Sequence, residues 1–295
     1  MNPTLRWVPS PLVSCLHTAE LVSRQALAPT AGNYESFTQE VHNWLAEVDR
    51  GVDSRANFWR HLLPLAAQPK SRRELIDVVL RKTGANGPNR EQTIERILAP
   101  LGAMEAAYGE IHPTLETELP NRVLPIQQQW EARGPGLWFA LKRQVPEEIL
   151  VESADVVLVH PECGGGGRPQ LLYNSVRLEG VLYHPHPELP EPVRLAWLLA
   201  QLELDRPAIS ETVNRDRLEM IAGLALLPPI LEAAHQAELV APPEESMPAA
   251  LRLWNLLPAG SSLDAETLAA WWRAKDTRDT PWHVALAALD RMIDP

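Results

Sequence analysis

The chain reads as an α+β protein, predominantly α-helical, with a small β-sheet enclosed by helices. Three observations predict this. Helical spacing of apolar residues runs through the first 130 positions, two short strand-like segments lie near 149–160 and 174–183, and helical spacing then returns to the C-terminal end. The composition agrees: 45% hydrophobic and 22% charged residues are the proportions of a globular domain, not of a disordered chain, a collagen-like fibre or a membrane bundle. Proline is the unusual residue, with 28 among 295 against only 15 glycines. The prolines therefore punctuate a packed fold rather than mark low-complexity sequence.

The elements follow in order. Leu12–Leu27 is apolar on one face and ends at Pro29. In 34–48, Phe37, Val41, Trp44, Leu45 and Val48 recur at helical spacing. Residues 55–67 bring Phe58, Trp59, Leu62 and Leu63, with a kink expected at Pro64. Ser71-Arg-Arg-Glu74 is a capping box, because the serine oxygen can accept from the third N–H and the glutamate can answer. The helix it opens closes at the turn 83–88, and Asn89 with Gln92 is read as the cap of the next helix, 89–101. A further helix over 115–130 is expected to break at Pro120 and Pro125. Gly134-Pro-Gly136 marks a change of texture, so a helical N-terminal region (1–130) is followed by an α+β C-terminal region (131–295).

In the second region a short helix over 137–143 leads to the β-branched run Val156–Val159, which suits a buried strand. In the next strand Val176, Leu178 and Leu182 alternate with Ser175, Arg177 and Glu179, which implies one wet face or a pairing partner across the pleat. Helices are then expected over 191–204, 217–239 with a kink at Pro228-Pro229, 248–256, 264–273 and 281–292. Trp44, Trp59, Trp197, Trp254 and Trp271 lie on apolar faces and are read as core packing.

The formal charge of −11 makes the chain repel polyphosphate on average, so nucleic acid is not the expected partner. Residues 51–100 depart from this, with nine bases against five acids. Lys70, Arg72, Arg73, Arg81 and Lys82 bracket one helix there, forming a basic patch. As a helix–turn–helix the pair over 70–101 has a long turn, and its second helix carries Arg90 and Arg96 against Glu91 and Glu95. A basic patch docking on another protein's acidic surface is the preferred reading. Two cysteines, Cys15 and Cys163, provide neither a disulfide framework nor zinc spacing. No secretory leader or membrane span is read, and the expected compartment is the reducing cytoplasm.

The candidate site is the segment His160, Glu162, Cys163, Gly164, Gly165, Gly166, Gly167 and Arg168, together with His184 and His186. The glycine run lacks the lysine, the hydroxyl and the following helix of a phosphate-binding loop, so it is read as a hairpin or lid. His184 and His186 face the same way in extended chain and could share a metal, but antiparallel strands would put His160 far from them. Glu232-x-x-His235 has no second such unit, and Cys163 has no oriented base.

The order strand, loop, apolar helix resembles the layout of zincin-type metallopeptidases. Where those carry HExxH, this chain has Ala196-Trp197-Leu198-Leu199-Ala200-Gln201, and no HExxH occurs anywhere in it. The resemblance implies a degenerate, non-catalytic relative. Since every visible catalytic pattern lacks an essential member, the leading expectation is a non-enzymatic interaction or scaffold protein with another protein as partner. It carries no expected cofactor and no metal, and its polar groups near the sheet are not expected to converge into a working reaction centre. A metal-binding or inactive hydrolase-like domain centred on 160–186 is the second reading, and a DNA-associated regulator through 70–101 the third.

Overall fold

The structure, a computed structural model, describes residues 2–26, 34–84, 89–257, 261, 263–275 and 280–293. The expected turn residues 85–88, the helix end at 27–29 and Ser262 lie outside them. The fold is predominantly helical α+β, with a small four-stranded mixed sheet. The chain divides into two compact units that are not consecutive in sequence. A helical unit comprises Trp7–Val123 and Val157–Gly164, and a larger unit comprises Met1–Arg6, Leu124–Val156 and Gly165–Pro295.

The sheet runs in the order β1 (Thr4–Pro9), β2 (Ser153–Val159), β4 (Ser175–Glu179), β3 (Gly167–Gln170). Strand β1 is absent from the sequence reading, because a lone six-residue strand beginning three residues in carries too little alternation to register. The Thr4 N–H donates to the Glu152 carbonyl and the Ser10 N–H to the Leu158 carbonyl, so β1 and β2 ascend together. Strands β3 and β4 form an antiparallel hairpin pairing Gly167 with Leu178 and Gln170 with Ser175. Asn174 closes its turn in the left-handed conformation (φ 49°), which asparagine tolerates better than most residues. Of the two alternatives for the second strand, the wet face is not found: all five residues of β4 are buried, Ser175, Arg177 and Glu179 included, and the strand is paired on both sides. Alternation marks two chemically different faces; it does not say that the polar one meets water.

In the helical unit, α1 (Pro11–Ser23), α2 (Glu35–Gly51), α3 (Arg55–Ala66), α4 (Arg72–Lys82) and α5 (Arg90–Ile111) pack α2 on α5, α3 on α4 and α1 on α2, α3 and α5. Their shared core holds Val13, Leu16, Phe37, Trp44, Phe58, Ile76 and Ile97. The capping box at α4 forms as its spacing predicts, whereas Asn89 makes no side-chain cap to α5.

The helix α6 (Leu115–Leu141) corrects the reading of two broken pieces: it runs through Pro120, Pro125, Gly134, Pro135 and Gly136. An interior proline removes a donor and clashes with the preceding turn, at about 3 kcal/mol. The buried stripe Leu115, Leu119, Val123, Ile126, Trp130, Leu137, Trp138 and Leu141 offsets it. Gly134 belongs to this packing, because a Cβ there would lie 2.5 Å from the Trp130 ring.

In the larger unit α9 (Leu218–Gln236) is the central helix, in contact with α7 (Glu191–Ala200), α10 (Pro243–Leu253), α11 (Ala265–Ala274) and α12 (Trp282–Ile293). It is long and apolar enough to cross a membrane by composition, and it is mostly buried in its own unit, as a core helix is. Pro228 and Pro229 lie inside it. A single turn, α8 (Pro207–Ser210), and α7 complete the unit, α7 packing on β3 and β4.

Candidate metal centre

The helical unit gathers its chemistry at one place. Two residues one turn apart on α1, Ser14 and Thr18, are fully buried. The Ser14 hydroxyl accepts the backbone N–H of His160, just past the end of β2, at 3.1 Å. The Glu162 N–H donates back to the His160 carbonyl at 3.1 Å, folding the chain tightly across Pro161. This turn brings the His160 and Glu162 side chains together, with Nδ1 of His160 3.2 Å from Oε1 of Glu162. Tyr108 and His112 stand one turn apart at the end of α5, and Tyr34 stands at the entry to α2.

Glu162 is the hub. Its Oε1 receives the Tyr108 hydroxyl at 3.1 Å and the Thr18 hydroxyl at 3.1 Å, and lies 3.5 Å from Nε2 of His112. Its Oε2 receives the Tyr34 hydroxyl at 2.9 Å, and the same phenol oxygen lies 2.9 Å from Nε2 of His112. The His112 and His160 rings pack tilted at 48° with centroids 4.2 Å apart, and Tyr108 and Phe37 continue the cluster of rings. The Glu162 side chain is only 6% exposed, against 14% for His112 and 19% for His160. The centre is thus shielded on the carboxylate side and reachable from the imidazole side.

Burial alone pushes the Glu162 carboxyl up. Interactions with His112, His160 and Tyr34 outweigh it and hold the group far below the usual carboxylate range. The reverse applies to the phenols: burial first, and the Glu162 charge second, push Tyr34 and Tyr108 well above the ordinary tyrosine value. The centre is an anion fixed among proton donors.

One ligand atom each from His112, His160 and Glu162 lie within 4.8 Å of one another. Zinc–nitrogen bonds of about 2.0–2.1 Å place adjacent tetrahedral ligand atoms roughly 3.4 Å apart. The two histidine–carboxylate separations, 3.2 and 3.5 Å, bracket that value.

Of the site residues expected from the sequence, His160 and Glu162 come together, and they do so with His112, which the sequence reading does not single out. Thr18, Tyr34 and Tyr108 escape it as well. A signal exists in the spacings Ser14-x-x-x-Thr18 and Tyr108-x-x-x-His112, each one helical turn. Nothing in the sequence joins those turns to residue 160.

The remaining candidates are placed differently. Cys163 is exposed. Gly164 and Gly165 have positive φ, 73° and 113°. In the larger unit the Gly165 N–H donates to Oε2 of buried Glu179 at 2.8 Å, and its carbonyl accepts from the buried Arg194 guanidinium. The Gly166 carbonyl accepts from the Glu179 N–H at 2.9 Å, and Gly167 opens β3. The glycine run is thus a pinned strand–loop–strand connection. Arg168 pairs with Glu219. His184 accepts the Glu191 N–H at 3.3 Å and the His186 carbonyl accepts from Leu189, so both serve the turns before α7.

The basic patch is internally paired. Arg72 grips Glu105 through two hydrogen bonds of 2.7 and 2.8 Å, and Arg73 reaches Glu91 and Glu95. Asp77 takes Arg81 and Arg90, and Lys70 reaches Gln68. Arg72, Arg73, Arg81 and Arg90 thus face carboxylates, and Lys70 faces a neutral amide. The expected patch is a mixed-charge helix face.

No protein-family model, curated protein or solved structure matches the chain.

Proposed function

We propose that this protein binds a transition-metal ion, held in its helical unit by His112, His160 and Glu162. The observation that carries this is the convergence of two imidazole nitrogens and one carboxylate oxygen at the spacing of neighbouring ligands. Support also comes from the groups around the carboxylate, since Tyr108 and Thr18 fix Glu162 by hydrogen bonds to its Oε1. Ligating carboxylates are ordinarily oriented in this way by hydrogen bonds from outside the ligand set.

The test is metal content after chelation and reloading with zinc, read by mass spectrometry. Wild-type protein takes up about one equivalent, as expected for a single closed ligand set. His112→Ala and His160→Ala lose it, and the double variant His184→Ala with His186→Ala keeps it. Uptake unaffected by the first two substitutions, or no uptake by the wild type, overturns the reading.

An interaction role has a separate footing in the larger unit. Leu182 and Tyr183, adjacent between β4 and α7, are 56% and 76% exposed. Two neighbouring large apolar side chains turned to solvent suit a contact surface for another protein. Replacing both with serine removes that contact without touching the metal ligands, so loss of a co-purifying partner in this variant alone separates the two readings.

A further inference from the structure

Tyr34 does more than brace Glu162. Its phenol oxygen lies 2.9 Å from His112 Nε2 and 2.9 Å from Glu162 Oε2. Tyr108 and Thr18, by contrast, both address Oε1. Ligand atoms adjacent around a six-coordinate ion with bonds of about 2.0–2.1 Å are roughly 3 Å apart. The Tyr34 oxygen therefore holds the position of a neighbouring ligand with respect to His112 Nε2, and it adjoins the second oxygen of the carboxylate whose Oε1 faces both imidazoles. From the entry of α2 it can turn its oxygen from Glu162 towards an ion bound there, while Tyr108, 3% exposed, keeps its hydrogen bond to Oε1.

The donor set then becomes two imidazoles, one carboxylate and one phenolate. Hard anionic oxygens favour hard, highly charged cations, and imidazole is compatible with iron. Tyrosinate is an established iron ligand in haem proteins, where it serves a ferric centre. Resting on the metal-binding reading above, we infer that the ion is ferric iron, with the Tyr34 phenolate as the fourth protein ligand. On binding, Fe(III) forms a bond to the Tyr34 oxygen, and the phenol proton leaves to solvent. His112 and His160 coordinate as neutral imidazoles, releasing to solvent any proton carried on the ligating nitrogen. No electron is transferred, and iron enters and remains as Fe(III). With the phenolate and Glu162 both anionic, the ion's charge of three falls to a net one.

Phenolate-to-iron charge transfer gives a visible absorption band that zinc and ferrous sites lack, so the assignment can be read directly. Metal-free full-length protein is titrated with ferric nitrilotriacetate and, in a separate arm, with zinc. The expected result is a visible band saturating at one equivalent, with phenolate vibrations enhanced in resonance Raman at that wavelength. Tyr34→Phe loses the band, and an unchanged far-UV circular dichroism spectrum shows that the variant is folded. Tyr108→Phe keeps the band. A wild type that binds zinc or iron without the band overturns the ferric–phenolate assignment and leaves the metal-binding reading standing. A band that persists in Tyr34→Phe, or that vanishes in Tyr108→Phe, overturns Tyr34 as the ligand. Failure to bind either metal overturns both readings.

Discussion

His112, the cap of α5, and His160, the first residue past β2, pack their rings at a tilt of 48° with centroids 4.2 Å apart. Beside them Glu162 accepts the hydroxyls of Tyr34, Tyr108 and Thr18. An ion held there binds only the folded chain, because these residues come from segments far apart in sequence. Metal at a hundredfold excess over its Kd should therefore raise unfolding stability by about 2.7 kcal/mol. Thermal unfolding of His112→Ala should show no such rise.

The anchored carboxylate predicts an acid limb in the stability of the metal-free protein. The folded-state pKa of Glu162 is depressed, so its contribution is fully present above the unfolded value, about 4.3. It is lost as pH falls from there towards the folded value. Denaturant unfolding between pH 6 and about 3 should show wild type losing stability faster than Glu162→Gln. At neutral pH that substitution should cost about 1–3 kcal/mol, the scale of disrupting a buried charged acceptor.

Lys275 predicts the opposite limb. Its ammonium is buried against Trp272 and Trp282, with Nζ 3.7 Å from the Trp282 ring centroid. Burial lowers its pKa to about 8. Between that value and the unfolded one, about 10.4, the unfolded chain holds a proton that the folded chain has shed. Stability should therefore rise with pH through this window. Tryptophan fluorescence should titrate in the same range, and Lys275→Met should lack both effects.

The glycine run should behave position by position rather than as a flexible whole. Gly165→Ala should be the most costly, at about 2 kcal/mol or more, since φ of 113° is joined by a Cβ 2.7 Å from Pro185. Gly164→Ala has open space and needs only the left-handed conformation, about 1–2 kcal/mol. Gly166→Ala meets ordinary contacts at 3.6 Å and should be nearly neutral. Chemical denaturation of the three variants gives the order.

Gly134→Ala in α6 should destabilise the protein, although alanine is the better helix former by about 1 kcal/mol. The added methyl would overlap the Trp130 ring. A rise in the denaturation midpoint would mean that the ring moves aside freely.

Much of this fold is legible residue by residue. The 3.6 spacing of Phe37, Val41, Trp44 and Val48 places α2, the capping box places the start of α4, and Val156–Val159 place the core of β2. These rest on local physics, in which one helical turn or one pleat decides which side chains share a face. Where local rules conflict with burial, burial wins. The prolines and glycines of α6 are carried by its apolar stripe, and the polar alternation of β4 faces protein rather than water.

The centre itself is a matter of assembly. His160 and Glu162 are adjacent enough to be noticed in the chain, but His112, Tyr34, Tyr108 and Thr18 reach them only once α1, α2 and α5 pack together beside the end of β2. Helical periodicity orders residues along one element and carries no information about which turn of another element will lie opposite. That pairing is set by the packing of whole faces, so the residue types could be read in advance and their meeting could not.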